Sequence, residues 1–124
     1  PRAAGVTVLG RVSDAERWRL LRSADVLVNP SPHESFSLVV LEAWQVGTPV
    51  LVNGWCGPLV EHCLRSGGGL WYTGAADFSV GLERLLDPTG PGAELARAGA
   101  RYVETEFAWP VVRARYEALL DRIT

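Results

Sequence analysis

An open parallel sheet with helices on both faces is the fold class this sequence predicts, and three observations predict it. DVLVNPS (25–31) and PVLVNG (49–54) are continuous apolar runs, as strands covered on both faces are. Strand-like runs and segments of helical period alternate four times before two closing helices. Breaks rich in Gly, Pro and Asn separate them, at Gly10, Asn29–Pro30, Gly47, Asn53–Gly54, Gly67–Gly69 and Thr73–Gly74.

VTVLG (6–10) is a short β-branched run closed by Gly, read as a strand. Ser13 and Glu16 then make a capping box for a helix whose Ala15, Trp18, Leu21 and Ala24 fall on one face. The run 25–31 is a strand buried on both faces and closed by Asn29 and Pro30. Beyond the Pro30–Pro32 loop, the segment around VVLEAW predicts a helix of roughly ten residues, ended by Gly47. In the next strand, 49–54, Pro49 holds the first position, where a missing donor is tolerated. GPLVEHCLRS (57–66) is a short helix with Pro58 near its start and Gly67–Gly69 as its stop. LWYT (70–73) is the fourth strand. AADFSVGLERLLD (75–87) is an amphipathic helix that directs Phe78, Leu82, Leu85 and Leu86 to the core. Helices over 91–106 and 110–123 follow, the second with Pro110 in its first turn and Val112, Tyr116, Leu119 and Ile123 on its buried face. Trp18, Trp71, Tyr72, Trp109 and Tyr116 are read as core or helix-packing residues.

At 124 residues the chain forms one domain, 1–124, able to bury about two thirds of its unfolded surface. Its 48% apolar and 21% charged composition is that of a globular protein. A net charge of −2 gives no footprint for nucleic acid or an anionic membrane. All twelve basic residues are Arg. No run approaches the roughly 18 apolar residues of a membrane span, and no signal peptide precedes the domain. Cys56 and Cys63 make no disulfide framework, and Cys63 beside His62 matches no zinc spacing. They are read as reduced thiols of a cytoplasmic protein with no metal site.

The chemistry gathers in HESFSLVVLEAW (33–44). Glu34 lies in the loop after the second strand and Glu42 inside the following helix, with seven residues between them. A carboxylate set among Val39, Val40, Leu41, Ala43 and Trp44 needs a partner, because an unpaired buried charge costs several kcal/mol. The partner is a ligand or a nearby Arg, unless Glu42 is simply exposed. In open parallel sheets, ligands bind at the carboxyl ends of the strands. Those ends are Gly10–Val12, Asn29–Ser31, Asn53–Gly54 and Thr73–Gly74, and Glu34 directly follows the second of them.

The stretch from Gly10 to Gly54 resembles the C-terminal, donor-binding half of GT-B fold glycosyltransferases, of the large retaining family with many bacterial sugar transferases. The residues that carry the resemblance are the E-x7-E pair, the E-S-F-S turn, L-E-A-x-x-x-G-T-P-V, the G-R-V loop, and F-A-W (107–109) followed by Tyr116. It implies a partial Rossmann-like parallel sheet and a nucleoside-diphosphate sugar as donor substrate, with no further cofactor. Carried over, Glu34 is the catalytic residue that contacts the transferred sugar, and Glu42 binds the ribose hydroxyls. One carboxylate can accept from both hydroxyls of a diol. Ser35, Phe36, Ser37 and Leu38 would offer backbone N–H groups to the diphosphate at a helix start. The family often has Gly where Ser35 or Ser37 stands; serine suits those positions if they avoid positive φ, and its hydroxyl can touch phosphate or cap the helix. Arg11 and Val12 resemble the loop whose backbone reads the base, although Arg11 also fits a solvated surface charge. His33 is read as a loop residue.

The same resemblance implies that two further strands, and an Arg and a Lys beside the leaving diphosphate, lie upstream of this stretch. An N-terminal half would bind the acceptor and make any peripheral contact with a membrane. Strands 25–31, 49–53 and 70–73 are then expected as neighbours in one parallel sheet, with 6–10 either beside 25–31 or unpaired. No D-x-D motif is present, in keeping with metal-independent transfer. The chain alone is expected to bind donor weakly and to be inactive. The competing readings are a non-catalytic nucleotide-sugar-binding or scaffold module of the same fold, and a parallel α/β domain without a ligand.

Overall fold

The computed structural model describes residues 4–124. Six helices and three strands alternate as α1 (Asp14–Ser23), β1 (Leu27–Asn29), α2 (Leu38–Gln45), β2 (Val50–Asn53), α3 (Gly57–Ser66), β3 (Gly69–Tyr72), α4 (Ala75–Leu86), α5 (Gly92–Phe107) and α6 (Trp109–Ile123). The strands form one parallel sheet in the order β1-β2-β3, with Leu27 opposite Val50 and Val50 opposite Gly69. This is the expected neighbour relationship, in a Rossmann-like arrangement flanked by helices.

Local signals set most boundaries. Ser13 caps α1 by accepting the Glu16 N–H at 3.2 Å. Pro58 sits in the first turn of α3, and Gly67 ends that helix in the left-handed conformation at φ +64°. β2 is central, and its Val50, Leu51 and Val52 are fully buried, as a parallel strand covered on both faces requires. Trp44 of α2 anchors the core, and its indole N–H donates to the Gly68 carbonyl at 3.0 Å. Helix α5 reaches that indole only because Gly99 has no side chain: a Cβ there would lie 2.3 Å from the ring.

Six expectations are corrected. Val6–Gly10 is not a strand and pairs with none of β1–β3 among the described residues, leaving Val6, Val8 and Leu9 exposed. β1 is an edge strand, so Leu27 and Val28 are only half-buried. On α1, Leu21 is buried and Trp18 partly so, but Ala15 and Ala24 face solvent, Ala24 as the residue just past the helix. Leu86 ends α4 exposed, and the buried positions of that helix are Gly81 and Leu85. Val112, Tyr116, Leu119 and Ile123 are exposed on α6, which buries no residue at all because only α5 packs substantially against it. Trp109 and Trp71 are exposed as well.

Candidate functional site

At the carboxyl ends of β1 and β2 stand two asparagines whose amides hold the loops that follow. Asn29, nearly fully buried, donates from Nδ2 to Ser37 Oγ at 3.0 Å and to Glu34 Oε1 at 3.3 Å. Its Oδ1 accepts the Ser31 N–H at 3.1 Å, closing a turn of side chain on backbone. Asn53 does the same one strand away, donating to the Pro30 carbonyl at 2.9 Å and accepting the Trp55 N–H at 2.9 Å. The Trp55 indole then donates to the Thr73 carbonyl beyond β3 at 3.0 Å. Three strand ends are thereby laced into one rim.

Within the loop, Ser37 adopts φ +69° and ψ 82°, the only described non-glycine residue at positive φ. The backbone there does not avoid the left-handed region, contrary to the condition set for serine. The conformation costs roughly 1–2 kcal/mol for a residue with a Cβ. The bond from Asn29 offsets part of that cost. The Ser37 hydroxyl makes no cap bond to α2, so helix capping is not its role. Among the described residues, the amides of Ser35, Phe36, Ser37 and Leu38 donate to no protein acceptor. A left-handed residue before a helix start leaves such donors in one short arc, an arrangement suited to an anion.

His62 of α3 supports the loop from beneath. It is buried, with Nε2 at 2.7 Å from the Phe36 carbonyl oxygen and Nδ1 at 3.0 Å from the Tyr102 hydroxyl of α5. A carbonyl only accepts, so Nε2 carries a proton. Burial pushes the Tyr102 hydroxyl above its ordinary pKa, so it keeps its proton and can donate to Nδ1. Phe36 packs edge-on against His62 and Phe107 at centroid distances of 5.0 and 5.2 Å.

Glu42 lies apart from this cluster. Its side chain is 16% exposed, and Oε2 sits 3.0 Å from Arg17 Nε of α1. The nearby-Arg alternative is therefore realised. The pair is close but misaligned: both atoms are enclosed, and neither has a properly directed hydrogen bond. Glu42 also lines a cleft of about 400 Å3 with Phe36, Leu38, Leu41, Gln45, Val103, Phe107 and Val112. Glu34, Ser35 and Ser37 are not in that lining; the two clusters meet at Phe36 and Leu38. Arg11 is exposed and Val12 half-buried, between Gly10 at φ +66° and the Ser13 cap. No described hydrogen bond or ion pair joins them to either glutamate. His33 is an exposed loop residue whose N–H and carbonyl both bond to Ser31 Oγ.

Cys56 and Cys63 are buried free thiols, and burial raises Cys63 to about 12, far from a reactive thiolate. Among the described residues no group of His, Cys, Asp and Glu could hold a metal, and no helix is long and apolar enough to cross a membrane. Sequence reasoning put Asn29 and Asn53 on the strand-end rim without giving them a role, left the Arg beside Glu42 unnamed, and missed the part played by His62. One signal was available for the asparagines: VLVN occurs twice, at 26–29 and 50–53, and ends both strands with the same amide.

Comparison with known proteins agrees with this architecture. The family described as "Glycosyl transferases group 1" matches residues 2–87. An uncharacterized glycosyltransferase of Methanocaldococcus jannaschii is 33% identical over 84% of this chain and 27% of its own length. A D-inositol 3-phosphate glycosyltransferase of Arthrobacter sp. is 38% identical over 82% of this chain and 25% of its own length. Sucrose-phosphate synthase from Thermosynechococcus elongatus superimposes with a TM-score of 0.78 at 28% identity, covering 94% of this chain and 30% of that one. The chain thus spans between a quarter and a third of the length of these relatives. With that family match and these relatives, the chain belongs to the group 1 glycosyl transferases and has the architecture of one half of a GT-B fold.

Proposed function

We propose that this chain is the donor-binding part of a retaining, metal-independent hexosyltransferase that uses a nucleoside-diphosphate sugar. The observation that carries the reading is the Asn29–Glu34–Ser37 cluster, which holds a carboxylate beside a run of unpartnered amides at a helix start. In this reading the amides of Ser35–Leu38 bind the diphosphate, where the dipole of α2 favours negative charge. Glu34 orients the sugar and stabilises an oxocarbenium-like transition state without attacking it. The departing phosphate assists the incoming hydroxyl, which accounts for retention. Glu42 accepts from the ribose hydroxyls, giving its enclosed oxygen the directed bond that Arg17 does not. Arg11 and Val12 contact the base through their backbone. The acceptor is held by another part of a longer protein, in keeping with the share of its relatives that the chain spans. The chain alone then binds nucleotide weakly and does not turn over.

Calorimetric titration with the diphosphates of uridine, guanosine and adenosine tests this. Glu42→Ala should weaken the preferred nucleotide by roughly 1.5–3 kcal/mol, the range for hydrogen bonds to a charged group. Glu34→Gln should leave that affinity essentially unchanged, since its proposed partner is the sugar. Equal losses in the two variants would overturn the division of labour. No binding of any of the three at millimolar concentration would overturn the donor site itself.

A further inference from the structure

We propose that His62 is a positioning residue that aims the Ser37 amide out of the protein and toward a bound anion. The inference rests on the donor-site reading for the identity of that anion, but its structural half stands on geometry alone. The peptide between Phe36 and Ser37 is trans, as no cis bond is present among the described residues. A trans peptide is planar, and its C=O and N–H point in opposite directions. His62 Nε2–H holds the Phe36 carbonyl inward at 2.7 Å. The Ser37 N–H of the same plane is thereby turned outward, and it has no protein acceptor among the described residues.

The imidazole is itself fixed on its remaining sides. Tyr102 holds Nδ1 at 3.0 Å, and Phe36, Phe107 and Tyr102 meet the ring edge-on at 5.0 to 6.0 Å. A ring so held has little freedom to rotate, and neither has the carbonyl it grips. The other end of the peptide is fixed by Asn29, which holds the Ser37 hydroxyl at 3.0 Å. One peptide plane is therefore set by two side chains from different elements, β1 and α3. A core histidine with a purely structural role would need its partners satisfied but would not need this carbonyl.

The test compares His62→Gln, which retains an N–H donor near the Nε2 position, with His62→Phe, which keeps a ring but no donor. The first measurement is the Ser37 N–H residual dipolar coupling in the ligand-free 124-residue chain, which reads the orientation of that bond directly. The expected result is a wild-type coupling in the Gln variant and an altered one in the Phe variant. The second is affinity for the nucleoside diphosphate that wild type binds best, with a loss of tenfold or more in the Phe variant and recovery to within threefold in the Gln variant. Identical couplings in wild type and both His62 variants overturn the proposal, as do equal affinity losses in Gln and Phe. If the Phe variant does not fold, the Gln variant decides alone, and a changed Ser37 coupling there overturns the idea. Should wild type bind no nucleotide, the donor-site reading fails, whereas the couplings still test whether His62 sets the peptide.

Discussion

Ser37 shows how a single residue is held against its own preference. Its left-handed backbone costs roughly 1–2 kcal/mol, while the bond from Asn29 to its hydroxyl is worth about 0.5–1.5 kcal/mol. The two nearly cancel, so replacements separate them. Ser37→Gly removes both strain and bond and should leave stability close to wild type. Ser37→Ala keeps the strain and loses the bond, and should cost about 0.5–1.5 kcal/mol in urea denaturation. An alanine variant as stable as wild type would mean that the Asn29 contact contributes nothing. At this scale part of the candidate site was legible in the sequence. Glu34 and the residues after it stand in one unbroken stretch, so their proximity needs no folding to be seen. Asn29 was read as a strand terminator on the rim, and its amide bonds went unseen because Glu34 and Ser37 lie five and eight residues further on. His62 bonds to residues 26 and 40 positions away, and nothing local announces such a contact.

Elements were legible where punctuation residues bound them. The expected 57–66 helix is α3 to the residue, because Pro58 and Gly67 have fixed roles at helix ends. Val6–Gly10 was misread because a strand is defined by its partner, and a β-branched run does not say whether one is present. The close approach of α2 and α5 was equally invisible, since Gly99 inside a helical pattern reads as a weakness. In the structure it is a packing requirement, and substitution tests that claim. Gly→Ala in a helix interior normally gains about 1 kcal/mol, but at Gly99 the new Cβ meets the Trp44 indole at 2.3 Å. Trp44 is fully buried and cannot withdraw, so overpacking of about 1–3 kcal/mol or more should win. Gly57, with open space around its Cβ position, is the control, and Gly57→Ala should be neutral or stabilising by up to about 1 kcal/mol. Thermal melts of the two variants moving together would show that the α2–α5 contact is looser than described.

Across the whole molecule, stability is distributed unevenly, from a dense centre to an almost detached end. β2 and α2 supply most of the fully buried residues, including Trp44, Leu51, Val40, Val50 and Val52. α6 supplies none, although its apolar residues recur at helical spacing. That spacing is why the sequence suggested a buried face: periodicity shows that a stripe exists, not that anything in the chain covers it. What ties α6 down is slight. Arg115 bonds the Glu106 carboxylate at 2.7 Å, but both partners are substantially exposed, and such pairs contribute about 0–1 kcal/mol. A helix of 15 residues is marginal in water without tertiary packing. The opening free energy of α6 should therefore be on the order of 1 kcal/mol, far below that of the sheet. Hydrogen exchange on the dilute chain should show amides 109–124 exchanging first and those of 38–53 last. A chain ending at Ala108 should then melt within about 5 °C of the full one. Protection of 109–124 equal to that of 38–53, or loss of the cooperative transition on truncation, would mean that α6 is an integral part of the folded unit.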